Sequence, residues 1–434
     1  MPDNVKTVIL GAGISGLSAA HHYSQSDLEY ALYEAKNSPG GLLDGFSVNG
    51  FHFDQAIHLS FANESEVRKI FDETTSITHS PEAWCWHYDR WLKHPAHNNL
   101  NALPLKDKIE LITSFINKKD IEVKNYEDWL VNQYGSQIAK KWTLPYTEKY
   151  WTIPANKLGT KWIGERVKKA NLDEILYGAL TPETPTYYYA PEMRYPKVGG
   201  YKTFLDPLIK NQSINVNCRA VKIDPIKKEI LFENGISIYY KNLINTIPLP
   251  ELIAIMSDVP SKVISASEQL HSTSIDLVSV GFDVPKIQDK LWFYIYDEDI
   301  LSARCHSPSE KSKNNAPSGQ SSLQFEIYSS RYKPQTKSIE ELKENVIYAL
   351  FKMGIIKSEE EILFIDHKYI PYANVIFDLG MEERRDSILS WLETVDVVPA
   401  GRFGEWKYLW SNQAFMSGKS AAEEVLQRDS NSRN

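Results

Sequence analysis

Cysteine is scarce in this chain: Cys85, Cys218 and Cys305 are the only three in 434 residues. Odd in number and far apart, they exclude a disulfide framework and a cysteine-based metal site. Basic residues are in deficit too, 48 Lys and Arg against 56 Asp and Glu, for a net charge of −8. That balance argues against a nucleic-acid binder, whose electrostatic footprint is basic. An anionic ligand would have to meet a local cluster of arginines. No apolar run approaches the roughly 20 residues needed to span a bilayer. The apolar segment begins at Thr7, which leaves no room for a signal peptide, so a cytoplasmic protein is expected. Internal repeats are absent. Apolar residues make up 42% and charged residues 24%, ordinary for a globular protein. The length exceeds one typical core, so two or three structural regions are expected.

What is present is concentrated first at the N-terminus. Thr7-Val8-Ile9-Leu10 leads into Gly11-Ala12-Gly13-Ile14-Ser15-Gly16, and a second apolar run ends at Glu34-Ala35. This is a strand, a G-x-G-x-x-G turn, a helix and a second strand with an acid at its tip. In such a turn the first glycine permits the tight bend, the second lets a pyrophosphate approach, and the third lets helix and strand pack closely. The phosphates then meet unpaired N–H groups at the helix N-terminus. Glu34 lies 18 residues past Gly16, close to the spacing of about 20 for an acid that holds a ribose hydroxyl. A second glycine pair, in Pro39-Gly40-Gly41-Leu42, favours FAD over NAD, because it leads the chain past the flavin's phosphates as in FAD enzymes of the glutathione-reductase and amine-oxidase type.

The whole chain reads as an α/β protein: a Rossmann-type FAD-binding domain with an inserted helical domain and an antiparallel β-sheet substrate domain. Residues 1–80, 195–265 and 385–434 are expected to form the FAD-binding part, 81–194 the helical insertion with a substrate flap, and 266–384 the sheet domain. Helical spacing marks Leu105 to Ile116, Tyr126 to Tyr134, Ser136 to Trp142 and Trp162 to Val167. Ile214 to Ile223 and Glu229 to Tyr240 read as a hairpin, and Asn242 to Ile247 as a buried strand. Asp276–Val284, Leu291–Ile295 and Leu323–Ser329 read as strands of the separate sheet. The polar stretch His306–Ser322 reads as a long loop. A strand at Val395–Ala400, a Gly-rich turn and a helix from Asn412 to Gln427 follow, with Arg428–Asn434 a frayed tail.

The turn Gly401-Arg402-Phe403-Gly404-Glu405-Trp406-Lys407-Tyr408 would bring a second helix N-terminus toward the flavin, where N–H groups near Gln413 and Ala414 face its polar edge. Together with Pro39–Leu42 and Asp54…His58, Leu144-Pro-Tyr-Thr-Glu-Lys-Tyr-Trp151 through Trp162-Ile-Gly-Glu-Arg166-Val, Arg194-Tyr-Pro with Gly199-Gly200, and Trp292-Phe-Tyr294, Arg304 and Asn315-Ala-Pro…Glu326, it resembles the UDP-galactopyranose mutases, their eukaryotic-type branch in particular. That family lies within the FAD-dependent amine-oxidase and protoporphyrinogen-oxidase-like superfamily.

The resemblance implies an isomerase of nucleotide sugars that feeds cell-surface polysaccharide synthesis. Reduced FAD is its working cofactor: N5 attacks the anomeric carbon, the nucleoside diphosphate leaves, and the ring recloses in the other size. NAD(P)H would serve as a transient reductant, since no separate nicotinamide motif is present. It implies Arg166, Arg304 and His58 as catalytic residues, the arginines clamping the pyrophosphate. Trp151, Thr147, Tyr294, Tyr369 and Tyr408 would complete the substrate site. The cofactor would meet Gly11, Gly13, Ile14, Ser15, Gly16, Glu34, Ala35, Gly40, Gly41, Leu42, His58, Val221, Gly401, Arg402, Asn412, Gln413 and Ala414. Any oligomer would form through the helical insertion.

Three departures stand out. Ala56-Ile57 occupy the place of two glycines before His58, which stiffens that loop. Thr147 and Ala190 replace two uridine-binding asparagines, and Ile370 replaces a tyrosine before the Pro371 turn, although Tyr369 and Tyr372 flank it. Lost amide groups change which base or ribose edge is read. The pattern points to a nucleotide sugar other than UDP-galactose, carried on UDP, dTDP or GDP. Two alternatives remain at this level: an FAD oxidoreductase of amine-oxidase or protoporphyrinogen-oxidase type, which shares the N-terminal signature, and a flavin-containing scaffold in a glycan assembly complex. Without the resemblance, Arg166 and Arg304 read as solvated or ion-paired residues, the aromatics as core, and His58 as structural.

Overall fold

The computed structural model describes residues 3–26, 28–164, 166–167, 169–186 and 192–431; Ala190 lies outside them. Strand Asp3–Leu10 is fully buried from Thr7 to Leu10, and it runs between two parallel neighbours, Tyr30–Tyr33 and Ser237–Asn245. Continuous burial of that kind is what a parallel strand covered on both sides demands. Ile214–Asn215 extends the sheet beyond Tyr30–Tyr33. On the other side, Ser237–Asn245 pairs with Glu229–Phe232 through its first residues and with Val397–Pro399 through its last. Of the expected hairpin of Ile214–Ile223 with Glu229–Tyr240, only Ala220–Asp224 with Glu229–Phe232 forms: Ile214–Asn215 pairs at the opposite edge, and the chain from Ser237 belongs to the next strand.

The second sheet runs Ile362–Val375, Ser272–Phe282, Ser321–Ser329, Arg304–His306, Trp292–Ile295, Trp84–His87, Arg90–Lys93. It is antiparallel as expected except where Trp292–Ile295 meets Trp84–His87 in parallel. Those last two strands come from the stretch read as helical insertion. Helices Leu105–Ile116 and Tyr126–Tyr134 fall where spacing placed them. After Ser136–Ile138 the chain widens into a π-helical turn, Ala139–Thr143, before helix Leu144–Tyr150.

Four expectations need correction. The stretch from Trp162 to Val167 is not helical in its described residues, which form turns and bends; its apolar anchor is Trp162, packed on Trp151 and Phe377. The polar stretch after His306 is no open loop. It contains the short helices Pro308–Lys311 and Lys313–Asn315, and Lys311 is fully buried. Pro371 lies within strand Ile362–Val375, at a bulge between the Ile275↔Ile370 and Thr273↔Asn374 pairings, where a missing N–H is tolerated. The C-terminal helix runs Ser411–Asn431, so Arg428–Asn431 is ordered helix, tied down by Asp429 to Lys241 at 2.8 Å.

Residues four hundred apart meet because the first and last helices cross closely. Ser18 Oγ donates to the Phe415 carbonyl at 2.7 Å, and a Cβ on Gly418 would overlap the Ser15 carbonyl. This crossing carries the turn after Val397–Pro399 to the glycine-rich turn. Among the described residues no helix is long and apolar enough to cross a membrane.

Candidate active site

The glycine-rich turn closes on itself. Gly11 has φ +94°, a left-handed setting that favours glycine, and a Cβ on Gly16 would collide with the Gly11 carbonyl. The second glycine pair docks on it: the Gly40 N–H donates to the Ala12 carbonyl at 2.9 Å. Glu34 is buried at the strand tip, accepting from the Ala12 N–H at 2.8 Å and the Lys36 N–H at 2.9 Å. A carboxylate has further lone pairs to offer a ribose hydroxyl.

From this turn a continuous cavity of about 780 Å³ runs through the molecule. One end is lined by Glu34, Ala35 and Val221, the middle by Gly13–Ser15 and Gly40–Leu42, and the far end by His58, Arg402, Tyr294, Arg304 and Tyr408. Its volume, the N–H-rich turn and the buried acid on its wall fit a dinucleotide. The far end fits a flavin ring: the Nδ1 atom of His58 is sealed without a hydrogen-bond partner, and the ring borders the cavity. Burial pushes His58 down to about 4, with Asp54 opposing and Lys311, Arg402 and Arg304 reinforcing the shift. The imidazole is therefore neutral at pH 7.

One wall at that end is a row across three strands. Register pairs Arg304 with Tyr294 on one side and Glu326 on the other, which puts the three side chains on one face. Arg304 Nε donates to Glu326, and Nη2 to the Tyr328 hydroxyl at 3.1 Å. Glu326 also accepts from the Tyr328 hydroxyl at 2.6 Å and, through Oε1, from the Ile57 N–H at 2.8 Å. One carboxylate thus joins the arginine to the loop that carries His58. Tyr146 and Tyr150, four apart on helix Leu144–Tyr150, close the box. Tyr150 meets Tyr328 at 4.8 Å between ring centres, and its hydroxyl lies 3.2 Å from that of Tyr408. Burial raises the pKa of Tyr294 and Tyr408, so both keep their hydroxyl protons.

Arg402 braces the flavin end. It donates to the Leu409 carbonyl at 2.9 and 2.7 Å and to the Ala373 carbonyl at 3.1 Å. Arg166 lies at the rim, stacked 4.1 Å from the Trp410 ring centre and 4.7 Å from that of Tyr408, and it donates to Gln413 Oε1 at 3.0 Å.

Most of the expected residues converge here: Gly11, Gly13, Ile14, Ser15, Glu34, Ala35, Gly40, Gly41, Leu42, His58, Val221, Tyr294, Arg304, Gly401, Arg402, Tyr408 and Ala414 all line the cavity. Others stand off it. Gly16 supports the turn from behind. Trp151 is buried in an aromatic wall with Trp162 and Tyr408 instead of on an open flap. Thr147 is buried, with its hydroxyl given to the Thr143 carbonyl at 2.6 Å. Tyr369 is 54% exposed, and Ile370 and Tyr372 line the cavity in its place, because strand side chains alternate between faces. Asn412 donates to Glu64 at 2.8 Å, and the Ala414 N–H is spent on the Trp410 carbonyl at 2.8 Å.

Tyr150, Tyr201 and Tyr328 were not singled out by the sequence although they line the cavity. The i, i+4 spacing of Tyr146 and Tyr150 and the i, i+2 spacing of Glu326 and Tyr328 were the available signals.

Fold and site together define an FAD-binding protein of the Rossmann type, with a second sheet closing the far end of its cavity. The profile of the NAD(P)-binding Rossmann-like domain family matches residues 9–74. Over the whole chain the protein is similar to reduced UDP-galactopyranose mutase, at 26% identity, covering 98% of this chain and 96% of that one with a TM-score of 0.92. The resemblance seen in the sequence motifs therefore holds for the fold. More distant likenesses concern fold alone: a putative protoporphyrinogen oxidase from Exiguobacterium sp. 255-15 (16% identity, 98% and 100% coverage, TM-score 0.75) and putrescine oxidase (14%, 98% and 99%, 0.67).

Proposed function

We propose that the protein is an FAD-dependent nucleotide-sugar mutase that interconverts pyranose and furanose rings, with a nucleotide sugar other than UDP-galactose as its substrate. The observation that carries this is Arg304, ringed by tyrosine hydroxyls and facing the His58 end of a dinucleotide cavity. An amine oxidase has little use for a guanidinium there; a leaving pyrophosphate requires one. When bound, reduced FAD supplies a nucleophilic N5 for the anomeric carbon. Arg304 would grip the pyrophosphate oxygens by charge-assisted hydrogen bonds that strengthen as the leaving group gains charge. Arg166, stacked on Tyr408 and Trp410 at the rim, is placed to swing onto the same anion. Tyr294 and Tyr408 would donate hydrogen bonds from their hydroxyls to sugar or phosphate oxygens. The tyrosine box shields the reacting carbon from water. Neutral His58 would offer a ring nitrogen to the bound flavin, and Arg402, fixed by the Leu409 and Ala373 carbonyls, would hold the same end of the cofactor.

The three-part domain division, membership of the eukaryotic-type branch, a cytoplasmic location, a role in polysaccharide synthesis and reduction by NAD(P)H belong to the same proposal. The test uses purified protein reduced with dithionite or NADPH and supplied with pyranose and furanose forms of UDP-, dTDP- and GDP-sugars. Chromatography should show ring interconversion in the reduced state alone. Peroxide release by the oxidised protein with amines, and no interconversion, would establish the oxidoreductase reading instead.

A further inference from the structure

The loop Gln55–His58 holds an unfavourable shape without glycine. Ala56 sits at φ +75°, a left-handed setting that an L-residue keeps only where its surroundings impose it. Glu326 holds one side of this loop through the Ile57 N–H at 2.8 Å. The other side is held by Asp54, which immediately precedes the loop and is fully buried. Its Oδ1 accepts from the Tyr201 N–H at 2.9 Å and its Oδ2 from the Tyr195 hydroxyl at 2.8 Å. The Tyr201 ring in turn lies against the His58 ring, 5.2 Å between centres.

Beneath Asp54 is an ammonium. Lys311 donates to Asp54 Oδ2, lies 4.5 Å from the Tyr195 ring centre, and has no exposed surface. Its short helix is pinned from several directions. The Lys311 carbonyl meets His79 Nε2 at 2.8 Å, Ser312 Oγ donates to the Lys197 carbonyl at 2.6 Å, and Asn315 Nδ2 reaches the Tyr195 hydroxyl at 3.2 Å. A charge sealed this deeply is tolerated only with its partner in place. The segment that places it is the polar stretch whose composition reads as a loop.

We propose that Lys311 is a positioning residue for His58: through Asp54 and Tyr201 it locks the glycine-free loop in the one setting that aims the imidazole at the cavity. The inference rests on the reading of His58 as facing the flavin. A purely structural ion pair would stabilise the fold and leave His58 indifferent, so the two roles separate in a double-mutant cycle.

The cycle compares the FAD-loaded wild type with Lys311→Met, His58→Ala and the combined variant. The readouts are the midpoint potential of the bound flavin, turnover, and amide exchange of residues 51–61 with and without FAD. Lys311→Met should bind FAD, speed exchange at Ile57, and lower kcat on the order of 100-fold with KM little changed. On the His58→Ala background the same substitution should shift neither potential nor kcat further. Independent, additive effects in the combined variant, or unchanged Ile57 exchange in Lys311→Met, would overturn the proposal. Should Lys311→Met fail to fold, Asp54→Asn/Lys311→Met removes both charges together and enters the same cycle, since replacing a buried pair by neutral groups is often tolerated. If the wild type lacks mutase activity, the functional reading fails, while potential and exchange still decide the role of Lys311. If it binds no FAD, exchange alone decides it.

Discussion

Replacing Arg304 with Met removes the cation from a carboxylate that has no water to turn to. Glu326 is fully buried, held by the Ile57 N–H, the Tyr328 hydroxyl and Arg304 Nε. Breaking a sealed pair costs about 3–5 kcal/mol. Since the Arg304 side chain keeps 19% exposure, the lower end applies, about 3 kcal/mol. Catalysis should suffer separately. Two charge-assisted hydrogen bonds to a pyrophosphate, at about 1.5–2 kcal/mol each, amount to ~3–4 kcal/mol. That is a fall of ~10²–10³-fold in kcat/KM. Urea unfolding measures the first loss and turnover of reduced protein the second. Arg304→Met/Glu326→Gln should recover most of the stability and none of the turnover, while both variants keep their yellow cofactor. Turnover within about tenfold of wild type in Arg304→Met would refute the pyrophosphate role; loss of flavin would show that Arg304 serves the cofactor.

Further outcomes follow from the same geometry. His58 drops from 6.5 to about 4 on folding. Between those values the unfolded chain takes up a proton that the folded protein refuses, so stability is complete above about pH 6.5 and falls as pH drops toward 4. Urea midpoints at about pH 7 and about pH 5 should differ less in His58→Gln than in wild type; an equal difference contradicts the assigned environment. Gly16→Val puts side-chain atoms into the Gly11 carbonyl, so the variant should purify without flavin absorbance, and full flavin content would refute the close-packing argument. Thr147→Val removes a hydroxyl given to the Thr143 carbonyl; KM for the nucleotide sugar should be unchanged and stability altered by less than about 1 kcal/mol. A several-fold rise in KM would restore Thr147 to the substrate site.

Local signals in the sequence carried far. Thr7–Gly16 with Glu34 contains a complete strand–turn–helix–strand unit, and each glycine's place follows from sterics within about thirty residues. Helices Leu105–Ile116 and Tyr126–Tyr134 declare themselves by spacing. Signals failed where tertiary packing overrode local pattern. At Trp162–Val167 the single Trp162, packed on Trp151 and Phe377, replaces the helix its spacing suggested. The polarity of the stretch after His306 comes from residues bonded inward, to Asp54 and to the Lys197 carbonyl.

By itself the sequence carried the dinucleotide-binding turn and the second glycine pair that points to FAD. Those properties reside in contiguous motifs whose chemistry needs no knowledge of neighbours in space. Only the tertiary structure decided which side chains face the cavity. Alternation in strand Ile362–Val375 turns Tyr369 outward and Tyr372 inward, and cross-strand register sets Arg304 between Tyr294 and Glu326. The crossing of the first and last helices carries Gly401 to the glycine turn, against Ser15. Lys311 reaches Asp54 across 257 residues, a pairing set by how the sheets pack and visible in neither local stretch. A buried charge finds its partner only when the core closes around both.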